Sequence, residues 1–128
     1  MRRLHHVQVS CPPGGEGAAR GFWVDGLGLE EVPKPAGLAG RGGAWFRSPD
    51  GAEVHVGVED PFVPARRAHP ALLVGVGELD PLAERLVGLG HEVNPAERHA
   101  FAGFLRFHCA DPFGNRVEVL EELRDPRG

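Results

Sequence analysis

The feature that most constrains how this chain folds is an internal repeat with a period of 63 residues. His6 and His55 are 49 positions apart, and His69 and Glu118 are also 49 positions apart, so the second pair is the first shifted by one period. The surroundings repeat as well, because His55 and Glu118 each lie between two valines. A repeat of this length predicts two similar supersecondary modules.

Hydrophobic patterning gives both halves of the chain the same order of elements, βαβββ. In the first half the pattern predicts strands over residues 4–10, 29–32, 44–47 and 52–59, with a helix over 16–27. In the second half it predicts strands over 70–76, 91–94, 104–110 and 116–122, with a helix over 79–89. The connection between the halves is short, so we predict one α+β domain over residues 1–128, with modules at about 3–60 and 68–123.

Strand alternation predicts which of the repeated polar residues share a face of their sheet. The valines beside His55 and Glu118 fit a face covered by helices, so both polar side chains belong on the opposite, concave face. In the first strand, His6 shares its face with Gln8 and Ser10. The concave faces are therefore predicted to collect the polar residues of the chain.

Three imidazoles and a carboxylate form a ligand set suited to a divalent transition metal. The repeat therefore predicts a metal site made of His6, His55, His69 and Glu118. His69 lies immediately before a proline at the start of its strand, so alternation does not fix its direction. An ion pair of Glu118 with Arg116 or a neighbouring arginine is the alternative, although a carboxylate in an apolar strand centre favours a metal or a buried donor.

His108 is a further histidine with a candidate role. It lies in the strand predicted to neighbour that of Glu118, where it could act as an acid/base group or a substrate donor. His5 faces away from the predicted site, and His91 and His99 lie in turn or loop contexts, so solvated or hydrogen-bonded roles are favoured for these three.

The composition of the chain excludes several functional classes. A net charge of −4 and a pI near 5.9 give no electrostatic footprint for nucleic acid. No apolar stretch approaches the roughly 20 residues of a membrane span, and the N-terminus lacks the apolar region of a signal peptide, so a cytoplasmic location is expected. Cys11 and Cys109 form no CxxC pair and are expected to stay reduced.

Several motifs between Leu4 and Leu123 carry a family resemblance. They are Leu4-His5-His6-Val7-Gln8-Val9, Ala19-Arg20-Gly21-Phe22-Trp23 leading into Leu27-Gly28-Leu29, His69-Pro70-Ala71 and, most specific, Asp111-Pro112-Phe113-Gly114-Asn115-Arg116-Val117-Glu118. The last resembles the DPxGNxxE signature of the vicinal oxygen chelate superfamily. That superfamily includes glyoxalase I, bleomycin-resistance proteins, fosfomycin-resistance enzymes, methylmalonyl-CoA epimerase and extradiol dioxygenases.

The resemblance implies two βαβββ modules that form an eight-stranded, incompletely closed barrel-like sheet around a central cavity. It also implies one divalent metal ion (Zn, Ni, Co, Mn or Fe), a small-molecule substrate and a homodimer. Carried over by position, the metal ligands are the four residues that the repeat selects. The signature is specific for the fold and much less so for the reaction.

The expected activity is that of a metal-dependent, glyoxalase-like lyase or isomerase acting on a small oxygen-rich substrate chelated to the metal. Glu118 would be both ligand and base, with His108 as the second catalytic candidate. Gln8, Ser10 and Arg116 would bind substrate.

Two alternatives to the glyoxalase-like activity remain open. Glyoxalase I and the epimerase have Glu or Gln where this chain has His55, so of the two carboxylates of a glyoxalase-type proton shuttle only Glu118 remains here. An Fe(II)-dependent extradiol-type dioxygenase needs two histidines and one carboxylate, which the chain can supply. A small-molecule (antibiotic) binding or resistance protein could use the same cavity, and its ligand affinity would survive alanine substitution at His55 and Glu118.

Overall fold

Each half of the chain folds as a βαβββ module, as the repeat predicts. The computed structural model describes residues 2–124 and divides between Ala65 and Arg66 into two units. The eight strands are shared equally between two four-stranded mixed sheets, one in each unit. The predicted α+β class with two modules is confirmed, whereas the assignment of both modules to one domain remains a prediction.

Module one has four strands in the order β1-β4-β3-β2, with β1 parallel to β4 and the other pairs antiparallel. The strands are β1 His6–Cys11, β2 Glu30–Val32, β3 Ala44–Arg47 and β4 Glu53–Val58. A short 3-10 turn, Ala39–Arg41, lies in the loop before β3. The core contains side chains from β1, β3 and β4, including Val9, Phe46 and Val54, together with residues of the helical segment between β1 and β2.

That helical segment differs from the predicted single helix. Helix α1 spans Glu16–Arg20 and continues as a π-helical turn over Gly21–Gly26. The wider turn is closed by the N–H of Leu27, which donates to the carbonyl of Phe22 at 2.9 Å. Phe22 and the adjacent Trp23 are both fully buried, and glycines at either end of the turn reduce the preference for a regular α-helix.

Module two repeats the arrangement with the order β5-β8-β7-β6, in which β5 is parallel to β8. Its elements are β5 Ala71–Val74, α2 Leu79–Gly88, β6 Val93–Asn94, β7 Phe104–Ala110 and β8 Arg116–Glu122. The buried Glu121 of β8 accepts a hydrogen bond at 3.0 Å from the backbone N–H of Leu79, in the first turn of α2. This bond ties the helix to the strand that carries Glu118. Neither α-helix among residues 2–124 has the length and hydropathy of a membrane span.

The turn between β7 and β8 is held together by the buried side chain of Asp111. Its Oδ1 accepts hydrogen bonds from the backbone N–H groups of Phe113 and Asn115, both at 2.9 Å. Its Oδ2 accepts one at 2.8 Å from the side-chain amide of Asn115. Gly114 adopts a φ of +91°, a conformation that other residues reach only with strain. The most specific motif in the sequence is therefore a turn that fixes the pairing of β7 with β8.

Both cysteines are buried, and we expect neither to react in the folded protein. Burial raises the pKa of the Cys109 thiol to about 12, so its nucleophilic thiolate form is rare at neutral pH. Iodoacetamide at neutral pH should label neither Cys11 nor Cys109 in the native chain, and should label both in guanidinium chloride, as counted by mass spectrometry. Rapid labelling of the native chain would contradict this expectation.

Candidate metal centre

Glu118 lies in the middle of β8, between two strands that bring histidines to it. On one side, His108 of β7 is its direct partner in the antiparallel register. On the other side, Ala71 of β5 is its partner in the parallel register, and the N–H of Glu118 bonds the carbonyl of Pro70 at 3.0 Å. His69 is two residues before Ala71. The sequence thus places one carboxylate between two imidazoles on neighbouring chain segments.

The two imidazoles approach the same oxygen of Glu118. Nε2 of His69 lies 3.0 Å from Oε1, and Nε2 of His108 lies 3.4 Å from it. Ligand atoms bound to one ion at about 2.1 Å are roughly 3.0–3.4 Å apart in octahedral or tetrahedral geometry. Glu118 and His108 are buried, whereas the His69 side chain is 26% exposed. The cluster is therefore compact and open to solvent at His69.

Hydrogen bonding fixes the tautomer of His69. Its Nδ1 lies 2.8 Å from the carbonyl oxygen of Arg67, which can only accept, so Nδ1 carries the proton. In a neutral ring, Nε2 then directs a lone pair at the Glu118 carboxylate 3.0 Å away. Two acceptors at this distance need a cation between them, either a proton or a metal ion. An imidazole whose other nitrogen donates to a carbonyl is the usual arrangement of a metal-binding histidine.

Arg106 holds the second oxygen of the carboxylate. It donates to Oε2 of Glu118 at 3.4 Å and to Glu97 at 2.8 Å. Burial acts to raise the pKa of Glu118, but hydrogen bonds from His69 and Arg106 outweigh it and leave this pKa below its usual value. Glu118 is therefore ionised at neutral pH, with Oε1 directed toward the histidines.

His108 is held in the form that binds metals. Burial lowers its pKa, and the positive charge of Arg116 lowers it further. A neutral imidazole at neutral pH keeps one lone pair for coordination. His69, His108 and Glu118 together form a group of potential metal ligands whose three donor atoms all lie within 4.8 Å of one another.

The corresponding positions of module one form an aromatic stack. The His55 ring lies against that of Trp45, with centroids 3.7 Å apart and planes 1° from parallel. The His6 ring stacks with His55 at 4.1 Å. Trp45 occupies the position that His108 occupies one period later, and Trp45 and His55 are register partners. Module one therefore has an indole side chain at the position where module two has one of its three potential ligands.

His55 also has a carboxylate neighbour. Its Nε2 lies 2.8 Å from Oε1 of Glu53, while Arg47 lies 2.8 Å from Oε2 of the same group. Burial lowers the pKa of His55 even though Glu53 acts to raise it. Hydrogen bonds from His55 and Arg47 keep the pKa of Glu53 below its usual value. His6 is exposed, and its Nδ1 lies 2.9 Å from Nδ1 of His5.

The structure thus brings some of the predicted site residues together within each module. His69, Glu118 and His108 are in contact in module two, and His6 and His55 are in contact in module one. A single ion bound by all four predicted ligands remains a prediction.

The three predicted substrate-binding residues lie in two modules. In module one, Gln8 is exposed and pairs in register with His55, and Ser10 is half-buried. In module two, Arg116 lines a cavity that also contains His108. Their contact with a substrate remains a prediction.

The sequence did not predict two residues that contact the candidate ligands, Arg106 beside Glu118 and Glu53 beside His55. Arg106 lies on the same face of β7 as His108, two residues away, and this spacing is visible in the sequence. Glu53 bears the same relation to His55 on β4. Alternation could have identified both as neighbours of the site, although it could not show which groups they contact.

The fold and the donor set define a protein of the vicinal oxygen chelate superfamily. Residues 9–120 match the family model described as a glyoxalase-like domain, and the chain belongs to that family. A Bacillus anthracis protein assigned to the glyoxalase family is 42% identical, with a TM-score of 0.86 over 96% of this chain and 97% of that chain. No protein of curated function matches the sequence.

More distant structures share the fold. A glyoxalase/dioxygenase from Nostoc punctiforme is 21% identical, with a TM-score of 0.77 over 96% of this chain and 92% of that chain. A variant of the fosfomycin resistance protein FosX from Listeria monocytogenes, complexed with Mn(II) and 1S,2S-dihydroxypropylphosphonic acid, is also 21% identical. Its TM-score is 0.70 over 93% of this chain and 89% of that chain. At these identities the likeness shows the fold alone.

Proposed function

We propose that the protein is a metal-dependent, glyoxalase-like lyase or isomerase that acts on a small oxygen-rich molecule. The observation that carries the proposal is the position of Nε2 of His69, which lies 3.0 Å from Oε1 of Glu118 while Nδ1 of the same ring lies 2.8 Å from a carbonyl oxygen. A divalent cation would take the place of the proton between Nε2 and Oε1, with His69 and Glu118 as its ligands. His108 is a third ligand or the acid/base group beside the ion.

A bound divalent metal would supply Lewis acidity, which stabilises negative charge that develops on a chelated substrate oxygen. The residues of the chain have separate tasks in such a reaction. Arg106 keeps Oε2 of Glu118 occupied, so that only Oε1 is directed toward the histidines. His108 is buried and its pKa is lowered, so at neutral pH one nitrogen of its neutral ring can accept a proton from a substrate carbon or oxygen.

One observation favours a dioxygenase as the second candidate. His69, His108 and Glu118 are two histidines and one carboxylate, the ligand set typical of non-haem Fe(II) oxygenases. Iron in the purified protein, together with dioxygen consumption in the presence of a catechol, would favour this reaction over the lyase or isomerase. A homodimer and a cytoplasmic location remain further parts of the proposal.

The metal site is tested on untagged protein purified without chelator. We expect about one divalent ion per chain by elemental analysis, and we expect the activity to be found with substrates bearing adjacent oxygens. Chelator should abolish the activity, and adding back one of Zn, Ni, Co, Mn or Fe should restore it. Absence of metal, combined with no thermal shift on addition of any of these ions, would reject the proposal.

The predicted roles of His6 and His55 are tested by alanine substitution in the same assay. If both are ligands, His6→Ala and His55→Ala should each weaken metal affinity at least about tenfold, the loss expected when a group that supports a metal is removed. Wild-type metal content and affinity in both variants would remove them from the ligand set and leave the ion to module two.

A further inference from the structure

A cavity of about 660 Å³ in module two lies beside the candidate metal centre. His108 belongs to both the cavity and the metal centre, because it lines the cavity and its Nε2 lies 3.4 Å from Oε1 of Glu118. Arg66, Asn94 and Arg116 also line the cavity. A molecule that fills this space could therefore contact both His108 and these three residues.

The polar groups of the cavity are mainly donors. Oδ1 of Asn94 accepts a hydrogen bond from the backbone N–H of Ala96 at 2.9 Å, which assigns the amide orientation and leaves the NH₂ group as the available donor. The guanidinium groups of Arg66 and Arg116 can only donate. A ligand for this cavity therefore needs acceptor oxygens at the end that faces these residues.

The charge of the cavity wall depends on how its two arginines are paired. Within residues 2–124, neither Arg66 nor Arg116 forms an ion pair with a carboxylate, whereas Arg106 is paired with both Glu97 and Glu118. Glu92 lines the cavity as its one acidic side chain, and it is not paired with either arginine in that part of the chain. The cavity wall thus carries more positive than negative charge in a protein whose net charge is −4.

We propose that Arg66, Arg116 and the amide of Asn94 form an oxyanion subsite, and that the substrate carries a carboxylate or a phosphonate/phosphate group bound there. The inference rests on the proposed function, because it places the other end of the substrate at the His69–His108–Glu118 cluster. A planar guanidinium binds both kinds of oxyanion through two parallel hydrogen bonds. The substrate is then a small anionic molecule with metal-chelating oxygens at the opposite end from its charge.

The subsite is tested with inorganic phosphate as the probe, titrated against the full chain by phosphorus NMR at low ionic strength. The titration is run on metal-loaded and on chelator-treated protein, so that binding to an ion is separated from binding to the arginines. We expect Arg66→Gln and Arg116→Gln each to raise the Kd for phosphate about 10- to 100-fold, the loss expected for a charge-assisted hydrogen bond. Acetate in place of phosphate shows which oxyanion is preferred.

Arg41→Gln is the matched control, because it removes the same charge from an exposed residue of module one. It should change the Kd less than about twofold at low salt. Arg116→Lys, which keeps the charge but loses the planar fork, should recover part of the affinity, and circular dichroism checks that each variant is folded. Equal phosphate affinity in the Arg66, Arg116 and Arg41 variants would overturn the proposal.

The same titrations separate this inference from the proposed function. The Arg66 and Arg116 variants should retain wild-type metal content, while Glu118→Gln should lose metal and still bind phosphate. One outcome is that the wild-type protein binds no metal but the arginine variants lose phosphate binding. This result would support the oxyanion subsite and reject the proposed metal-dependent activity. The other outcome is that the protein binds metal but the arginine variants bind phosphate as tightly as wild type. This result would reject the oxyanion subsite and leave the proposed function standing.

Discussion

Replacing Glu118 with glutamine is expected to abolish metal binding and the stability that the metal confers. Glutamine keeps the shape of the side chain but removes the charge that His69 and His108 share at Oε1. A ligand at 100 times its Kd stabilises the folded state by about 2.7 kcal/mol. For a chain of this size that corresponds to a rise in Tm on the order of 10 °C.

The measurement is a thermal melt of wild type and Glu118→Gln, with saturating metal and with chelator, paired with elemental analysis. Wild type should show the full shift, and the variant should show less than about 2 °C. Glu122→Gln is the control, since Glu122 is exposed at the end of the same strand and should leave the shift intact. A Glu118→Gln protein with one metal per chain and a wild-type shift would exclude Glu118 as a ligand.

The sequence was sufficient to predict the hairpin of module two, and the physical reason is local. The strands 104–110 and 116–122 were predicted with the bounds that the structure shows, because apolar and polar residues alternate over residues 105–109 and 116–119 and the Asp111–Asn115 turn separates the two runs. The helix over 16–27 was less well predicted. The change from α to π geometry at Gly21 depends on how Phe22 and Trp23 pack. The hydrophobic periodicity of the sequence contains no information about that packing.

Only part of the candidate metal centre was predicted from the sequence. The repeat selected His69 and Glu118 because each has a polar counterpart one period earlier, and the structure brings these two residues into contact. It gave His108 no such support, since the counterpart of His108 is Trp45. The contact of His108 with Glu118 follows from the cross-strand register of β7 and β8, which pairs them directly. Register follows from the turn, so the contact could have been derived once the turn was understood.

Replacing Asp111 with alanine is accordingly expected to destabilise the fold and the metal centre together. The substitution removes three hydrogen bonds that the side chain accepts and leaves the buried amide of Asn115 without that acceptor. An unsatisfied buried donor costs about 1–3 kcal/mol, so a total loss of about 3 kcal/mol is expected. The corresponding fall in Tm is on the order of 10 °C.

Chemical denaturation with and without metal measures both effects of Asp111→Ala. Because the turn sets the register that places His108 opposite Glu118, metal affinity should fall in the variant even under conditions where it is fully folded. Ser48→Ala is the matched control, since Ser48 occupies the equivalent position one period earlier, in the turn between β3 and β4. Its hydroxyl donates to the exposed Asp50, so the loss should stay within about 0.5 kcal/mol. An Asp111→Ala variant as stable as Ser48→Ala, with unchanged metal affinity, would show that the register of this hairpin is set by the strands rather than by the turn.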